Sequence, residues 1–290
     1  MSLPEGAKFS ATTLKGRMAI AEDTLSRAES IVASTPGASM DSEFVREEDM
    51  PPLTRDDVAH PWPNHPEAPV QIVNSDAFTL ARKILQEASD SKVSVLNMAS
   101  DILPAGPWLQ VYDRTQEEAL CYTSTLYPTL QHEWYPWKVS VNLNAQGIYS
   151  PAVVVFKDDL LHHCADLPAS AHIVVSVLTF AAPRGPRTTP DGTRFSLQGD
   201  VDAVRAKVQV LLRTAARRGQ DTLVLGAIGC GAYGCPPRHV AEIMRDTLKT
   251  DEFKGWFRRV EFAVFSRRDP GFLGADNFDI FAEVFQDVTV

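Results

Sequence analysis

The stretch from Thr222 to Pro237 most narrows what this chain can fold into. Thr222 to Ile228 is the strongest strand signal in the sequence, and Gly226, Gly229, Gly231 and Gly234 follow or overlap it. Pro236 and Pro237 then suit the first turn of a helix, and helical apolar periodicity runs from Arg238 to Leu248. Strand, glycine loop and helix in direct succession make a βα unit. Glycines let the backbone come close to a ligand, and the helix N-terminus presents free N–H groups with a partial positive charge. A phosphate is the natural occupant; a glycine turn with no ligand is the alternative. Gly229, Gly231 and Gly234 also match the spacing GxGxxG. A dinucleotide fold would then need an acidic residue at the end of the next strand. Val260 to Phe265 is followed by Ser266 and Arg267, which disfavours it, and no GK[ST] is present to make a P-loop.

The remaining pattern agrees with a layered α/β domain whose sheet is mostly parallel or mixed. Strands are expected at Val70–Val73, Val93–Leu96, Val153–Phe156, Ile173–Thr179 and Val260–Phe265. Helices are expected at Thr13–Val32, Asp76–Ala88 with Asp76 or Ser75 as cap, from Thr115 towards Tyr127, at Val201–Arg217 and at Asp279–Phe285. Between Ser34 and Ala68 the chain is Pro-rich and acidic and reads as irregular.

Chemistry concentrates between Asn97 and Tyr127. The apolar run Val93–Leu96 delivers the chain to Asn97, a Pro/Gly loop follows, and Gln116-Glu117-Glu118 stands at the start of a helix. Adjacent helical residues point about 100° apart, so the pair cannot flank one bond as separated glycosidase carboxylates do. It suits a division of labour, one glutamate orienting sugar hydroxyls and the other meeting the scissile bond. Thr115-Gln-Glu-Glu118 is equally a capping box with no chemistry attached. His162-His163-Cys164 lacks the further ligands a zinc site requires and reads as a helix end. Cys230 and Cys235 read as small buried thiols. Arg184 and Arg187 are candidates for phosphate contact or plain solvation, and Trp134, Tyr135 and Trp137 read as packing.

Composition excludes several classes. Lys and Arg number 28 against 37 Asp and Glu, a net charge of −9, which is wrong for tracking a nucleic-acid backbone. No apolar run is long enough for a membrane span, and the N-terminus has no signal-peptide core. Four cysteines in 290 residues make no disulfide framework. An intracellular protein, cytoplasmic or nuclear, is the expectation, with no metal, no cofactor, no nucleic acid and no membrane.

VLNMASDILPAGP, then QEEALCYTSTLY, YSPAVVVFKDD, VVSVLTFAAP and LVLGAIGCGAYGCPP, in that order, resemble the microbial-type poly(ADP-ribose) glycohydrolase family. The likeness covers nearly the whole chain. It implies a three-layer α/β/α macrodomain with a mixed sheet and an N-terminal helical extension, the extension and Pro-rich wrap being residues 1–68 and the catalytic domain 69–290. It implies ADP-ribose or poly(ADP-ribose) and ADP-ribosylated proteins as partners. By the resemblance Glu118 is the catalytic acid/base, with Glu117 and Asn97 on the distal ribose and Gln116 beside them. The loop of Gly229, Cys230, Gly231, Ala232, Tyr233 and Gly234 holds the diphosphate, with Tyr233 packing beside the distal ribose. An aromatic near the C-terminal strand, Phe272 or Phe278, stacks on adenine. Where the family has three glycines this chain has Ala105-Gly106-Pro107, at the place where backbone approaches the sugar and diphosphate. That departure points to terminal or protein-linked ADP-ribose in preference to polymer, or to a different ADP-ribose adduct. An ADP-ribose-binding reader module without catalysis is the alternative, and a nucleotide-dependent oxidoreductase is a third.

Overall fold

The computed structural model describes residues 3–137, 145–266 and 276–290. Its centre is a seven-stranded mixed sheet in the order β1-β4-β5-β3-β6-β7-β2. The strands are β1 (Glu43–Arg46), β2 (Gln71–Val73), β3 (Val93–Met98), β4 (Gln146–Val155), β5 (Ile173–Phe180), β6 (Thr222–Leu225) and β7 (Arg259–Ala263). β5, β3, β6, β7 and β2 run parallel, while β4 pairs antiparallel with β5 and with β1. The parallel strands therefore end on one side, and the loops after β3, β5, β6 and β7 meet there.

Alternation along the strands sends apolar side chains to both faces. Leu96, Leu178, Phe180, Leu223, Leu225, Val260 and Phe262 pack into one core, under α5 (Gln198–Arg217), α6 (Pro237–Leu248) and α7 (Asn277–Val284). Val93, Val95, Val175, Val177 and Val224 pack into the other, under α1 (Leu14–Ser34), α2 (Ala77–Glu87) and α4 (Gln116–Thr123). The result is the expected three-layer α/β/α arrangement with a mixed sheet.

Local chemistry sets the helix starts. Thr13 accepts from the Gly16 N–H to open α1, and Asp76 accepts from Phe78 and Thr79 to open α2. Pro237 occupies the first position of α6, as expected. α1 is tied down by ions as well as by packing. The ammonium of Lys157, 3 % exposed, lies 2.7 Å from Asp23 and donates to Thr24 Oγ1. Arg27 pairs with both Asp23 and Asp166.

Four expectations need correction. The Pro-rich segment contains a strand, β1, whose Phe44 sits opposite Ile148 at the sheet edge. β4 is much longer than Val153–Phe156; its register shifts between Ser150 and Val153, around Pro151, which has no N–H for a ladder. β6 stops at Leu225, three residues short, because the backbone turns at Gly226–Gly229. A short helix, α3 (Trp108–Val111), interrupts the loop ahead of the glutamate pair.

Candidate active site

Over the strand ends lies a cavity of about 790 Å³, within the range of small-molecule sites. Its walls come from the loop after β3, the start of α4, the glycine loop after β6, and the end of β7 with the start of α7.

The glycine loop is built as a cradle for an anion. Gly229 takes a φ of 76°, and a Cβ there would fall 2.5 Å from the Ala182 methyl and 2.7 Å from the Cys235 sulfur. Gly234 closes the loop by donating to the Gly231 carbonyl, and Cys235 donates to that of Gly229. The N–H groups of Gly229, Gly231, Ala232 and Tyr233 have no acceptor among the described residues, and all four residues line the cavity. Successive unpaired amides form an anion-binding nest. Cys230 turns its thiol to the Ile228 carbonyl, and neither it nor Gly234 lines the cavity. All four cysteines are free thiols.

The glutamates open α4. Glu118 closes the capping box: its Oε2 accepts from the Thr115 N–H at 2.8 Å and the Thr115 hydroxyl at 2.9 Å. Its other oxygen is uncommitted, and the residue lines the cavity. Glu117 lies beside it and is 4 % exposed. Asn97 Nδ2 donates to its Oε1 at 3.1 Å and the Ser100 N–H to its Oε2 at 2.8 Å. Burial pushes the Glu117 carboxyl up to about 8, against the pull of those hydrogen bonds. Burial also raises Glu118, with the Asp113 charge adding to it.

Gln116 is an anchor. Its amide accepts from the Met98 N–H at 2.9 Å and donates to the Leu96 carbonyl at 2.7 Å. It thereby continues the hydrogen bonding of β3 and fixes α4 against the strand end. Asn97 is fully buried behind Glu117, bonded also to Thr179, and does not line the cavity; its Oδ1 has no partner. Ala105 and Gly106 do line it, but the Gly106 N–H turns inward to the Leu103 carbonyl and that of Ala105 faces Glu117. Ala105 holds a φ of 55°, the conformation for which a glycine would be the easy choice, and is 1 % exposed. Trp108 leaves the cavity altogether and packs edge-on against Tyr122.

Tyr233 is half-buried on the cavity wall. Arg184 stacks over its ring at 4.6 Å, donates to its hydroxyl and pairs with Asp101 at 2.9 Å. One guanidinium thus links the loops after β3, β5 and β6. Arg187 does not line the cavity. Trp134 and Trp137 pack on Phe44, as expected of packing residues.

Sequence reading missed other parts of the wall. Phe265, 46 % exposed just past β7, presents a ring to the cavity beside Asn277. Phe278 packs instead against the α5–α7 core, and Phe272 lies outside the described residues. Asp113 and Arg114 precede α4 on the cavity wall, and Asp76 also lines it. Asp158, Asp159 and His162 have ligand atoms close enough to surround a metal. Arg82 pairs with Asp158, however, and Asp159 accepts from Thr79, His162 and two backbone N–H groups. His162 ends a short 3-10 turn, Leu160–His162, as its sequence suggested.

A mixed sheet between two helical layers, with a glycine loop and a buried acidic pair at its strand ends, defines a macrodomain-like fold. Residues 19–158 match the family "Microbial-type PARG, catalytic domain", a family of glycosidases that hydrolyse poly(ADP-ribose). The poly(ADP-ribose) glycohydrolase of Thermomonospora curvata is 25 % identical, with a TM-score of 0.72 over 93 % of this chain and 99 % of that one. Its complex with the inhibitor ADP-HPD gives 0.70 at 25 % identity and the same coverage. The Deinococcus radiodurans enzyme in complex with ADP-ribose is 26 % identical, with a TM-score of 0.68 over 89 % of this chain and 96 % of that one. No curated protein sequence matches. The chain is thus similar to microbial-type poly(ADP-ribose) glycohydrolases, in sequence over residues 19–158 and in fold over 89–93 % of its length. Among the described residues, no helix is long and apolar enough to cross a membrane.

Proposed function

We propose that this protein is an ADP-ribosyl glycohydrolase, hydrolysing the C1″ glycosidic bond of poly(ADP-ribose) or of terminal ADP-ribose on proteins. The carrying observation is the convergence on one cavity of four unpaired backbone N–H groups and two buried carboxyls. The nest takes the diphosphate, and Phe265 offers a ring face to the base. Every residue lining the cavity lies at or beyond Ser75, so residues 69–290 act as the catalytic domain and residues 1–68 as the brace on its flank.

In this reading the bond from C1″ to the leaving oxygen breaks through an oxocarbenium-like state. Glu118, held by Thr115 through one oxygen, gives a proton from the other to the departing oxygen. Water then adds to C1″ and returns a proton to Glu118, leaving free ADP-ribose and an alcohol. Its raised pKa keeps that proton available. Glu117 orients the ribose hydroxyls, and Asn97 and Ser100 hold Glu117 in place.

Glu118→Gln is a clean test because glutamine also closes a capping box. The variant should keep wild-type thermal stability and ADP-ribose binding. Its release of ADP-ribose from poly(ADP-ribose), or from a protein carrying single units, should fall by about 10²- to 10⁴-fold. Unchanged turnover would remove Glu118 from the mechanism. Binding without turnover in the wild type would favour the reader module, a reading supported by the structural use already made of Glu118 by Thr115.

A further inference from the structure

Arg114 stands out on the cavity wall. The cations of the described lining are Arg114 and Arg184. Arg184 is engaged by Asp101 and Tyr233. The Arg114 guanidinium has no hydrogen bond or ion pair among the described residues; only its backbone N–H is used, by Asp113. It is exposed, one residue before the Thr115 that caps α4 and four before Glu118. The wall beside it carries Asp113, Glu117 and Glu118. An unpaired cation kept next to three acids, and on the glutamate side of the cavity rather than in the glycine nest, is placed for an anion other than the one the nest holds.

The chemistry of the substrate supplies that anion. In poly(ADP-ribose) the bond cleaved joins C1″ of the terminal unit to the 2′-oxygen of the next adenosine, whose 5′-carbon carries a diphosphate. A single ADP-ribose on a protein side chain has no such group. We propose that Arg114 is a specificity-determining residue that binds the phosphate of the leaving nucleotide and so favours polymer over single protein-linked units. This rests on the glycohydrolase reading given above. Arginine suits the task because its fork of donors stays charged and matches phosphate oxygens.

The test uses two substrates that differ only in that phosphate: ADP-ribosyl-(1″→2′)-adenosine and the same compound with a 5′-phosphate on the leaving adenosine. The wild type should show kcat/KM about tenfold higher for the phosphorylated compound, a factor that corresponds to about 1.4 kcal/mol. Arg114→Ala should bring the two substrates to within about twofold, Arg114→Lys should retain part of the preference, and added salt should shrink the wild-type preference. Equal rates for the two substrates in the wild type, or an undiminished preference in Arg114→Ala, would overturn the assignment while leaving the glycohydrolase standing. Hydrolysis of neither by the wild type, with Glu118→Gln equally inert, would bring down the functional reading and the assignment with it.

Discussion

Replacing Glu117 by glutamine should change how stability depends on pH. In the folded chain burial raises this carboxyl from 4.5 to about 8. Between those values the folded protein holds a proton that the unfolded chain has released. The unfolded state then binds fewer protons, so stability falls as pH rises through the window, and above about 8 the whole penalty is present. At about 1.4 kcal/mol per pH unit the ceiling is about 5 kcal/mol, and local relaxation on ionisation brings the expected loss to about 2–4 kcal/mol. Glutamine has no proton to release. It does meet the Asn97, Ser100 and Ala105 donors with one acceptor oxygen, and Asn97 and Ser100 address different oxygens, which costs about 1 kcal/mol at low pH. The Asn97 Oδ1, at present without a partner, can turn to accept from the new amide. Glu117→Gln should therefore be slightly less stable than wild type near pH 5 and more stable by about 1–3 kcal/mol near pH 8.5. Urea denaturation of both proteins across that range measures the difference, and the other titrating groups, Asp76 among them, largely cancel. A difference that stays constant to within about 0.5 kcal/mol would mean that Glu117 ionises in place at an ordinary pH, and the description of a protonated buried acid would fail.

Gln116→Ala should cost about 2–3 kcal/mol, because the Met98 N–H and Leu96 carbonyl lose their partners at the end of β3. It should also lower kcat more than it raises the Kd for ADP-ribose, measured by steady-state kinetics and calorimetry, since it loosens the seat of Glu118 and leaves the nest intact. Gly229→Ala should abolish ADP-ribose binding and lower the melting temperature, because the methyl collides with Ala182 and Cys235 at a backbone angle of 76°; calorimetric binding near the wild-type value would refute the nest.

The local sequence carried what was local in cause. Asp76 and Thr115 announced their helices by the bonds a cap makes, and Thr222 to Pro237 announced a βα unit because strand, turn and helix chemistry follow one another without a gap. β1 stayed hidden because four residues hold too little alternation, and its partner, β4, lies a hundred residues on. Pro151 concealed the first half of β4, since only the bulge makes room for it. The cavity was legible in its two motifs and not in its outer wall. Phe265 and Arg114 reach it only through the sheet order, which sets the ends of β7 and β3 on either side of β6. Asn97 shows the opposite case: its position at the end of β3 was plain, yet its amide is spent on Glu117.

The Thr115–Glu118 bonds give this glutamate two employers. A lineage that abandoned turnover would still lose a helix start, worth about 1 kcal/mol, by discarding the residue. Selection on folding alone would then preserve Gln116-Glu117-Glu118 long after selection on catalysis had ceased. Descendants that only bind ADP-ribose would betray themselves elsewhere, at a side chain with no scaffolding role: the unpaired guanidinium of Arg114 would drift first.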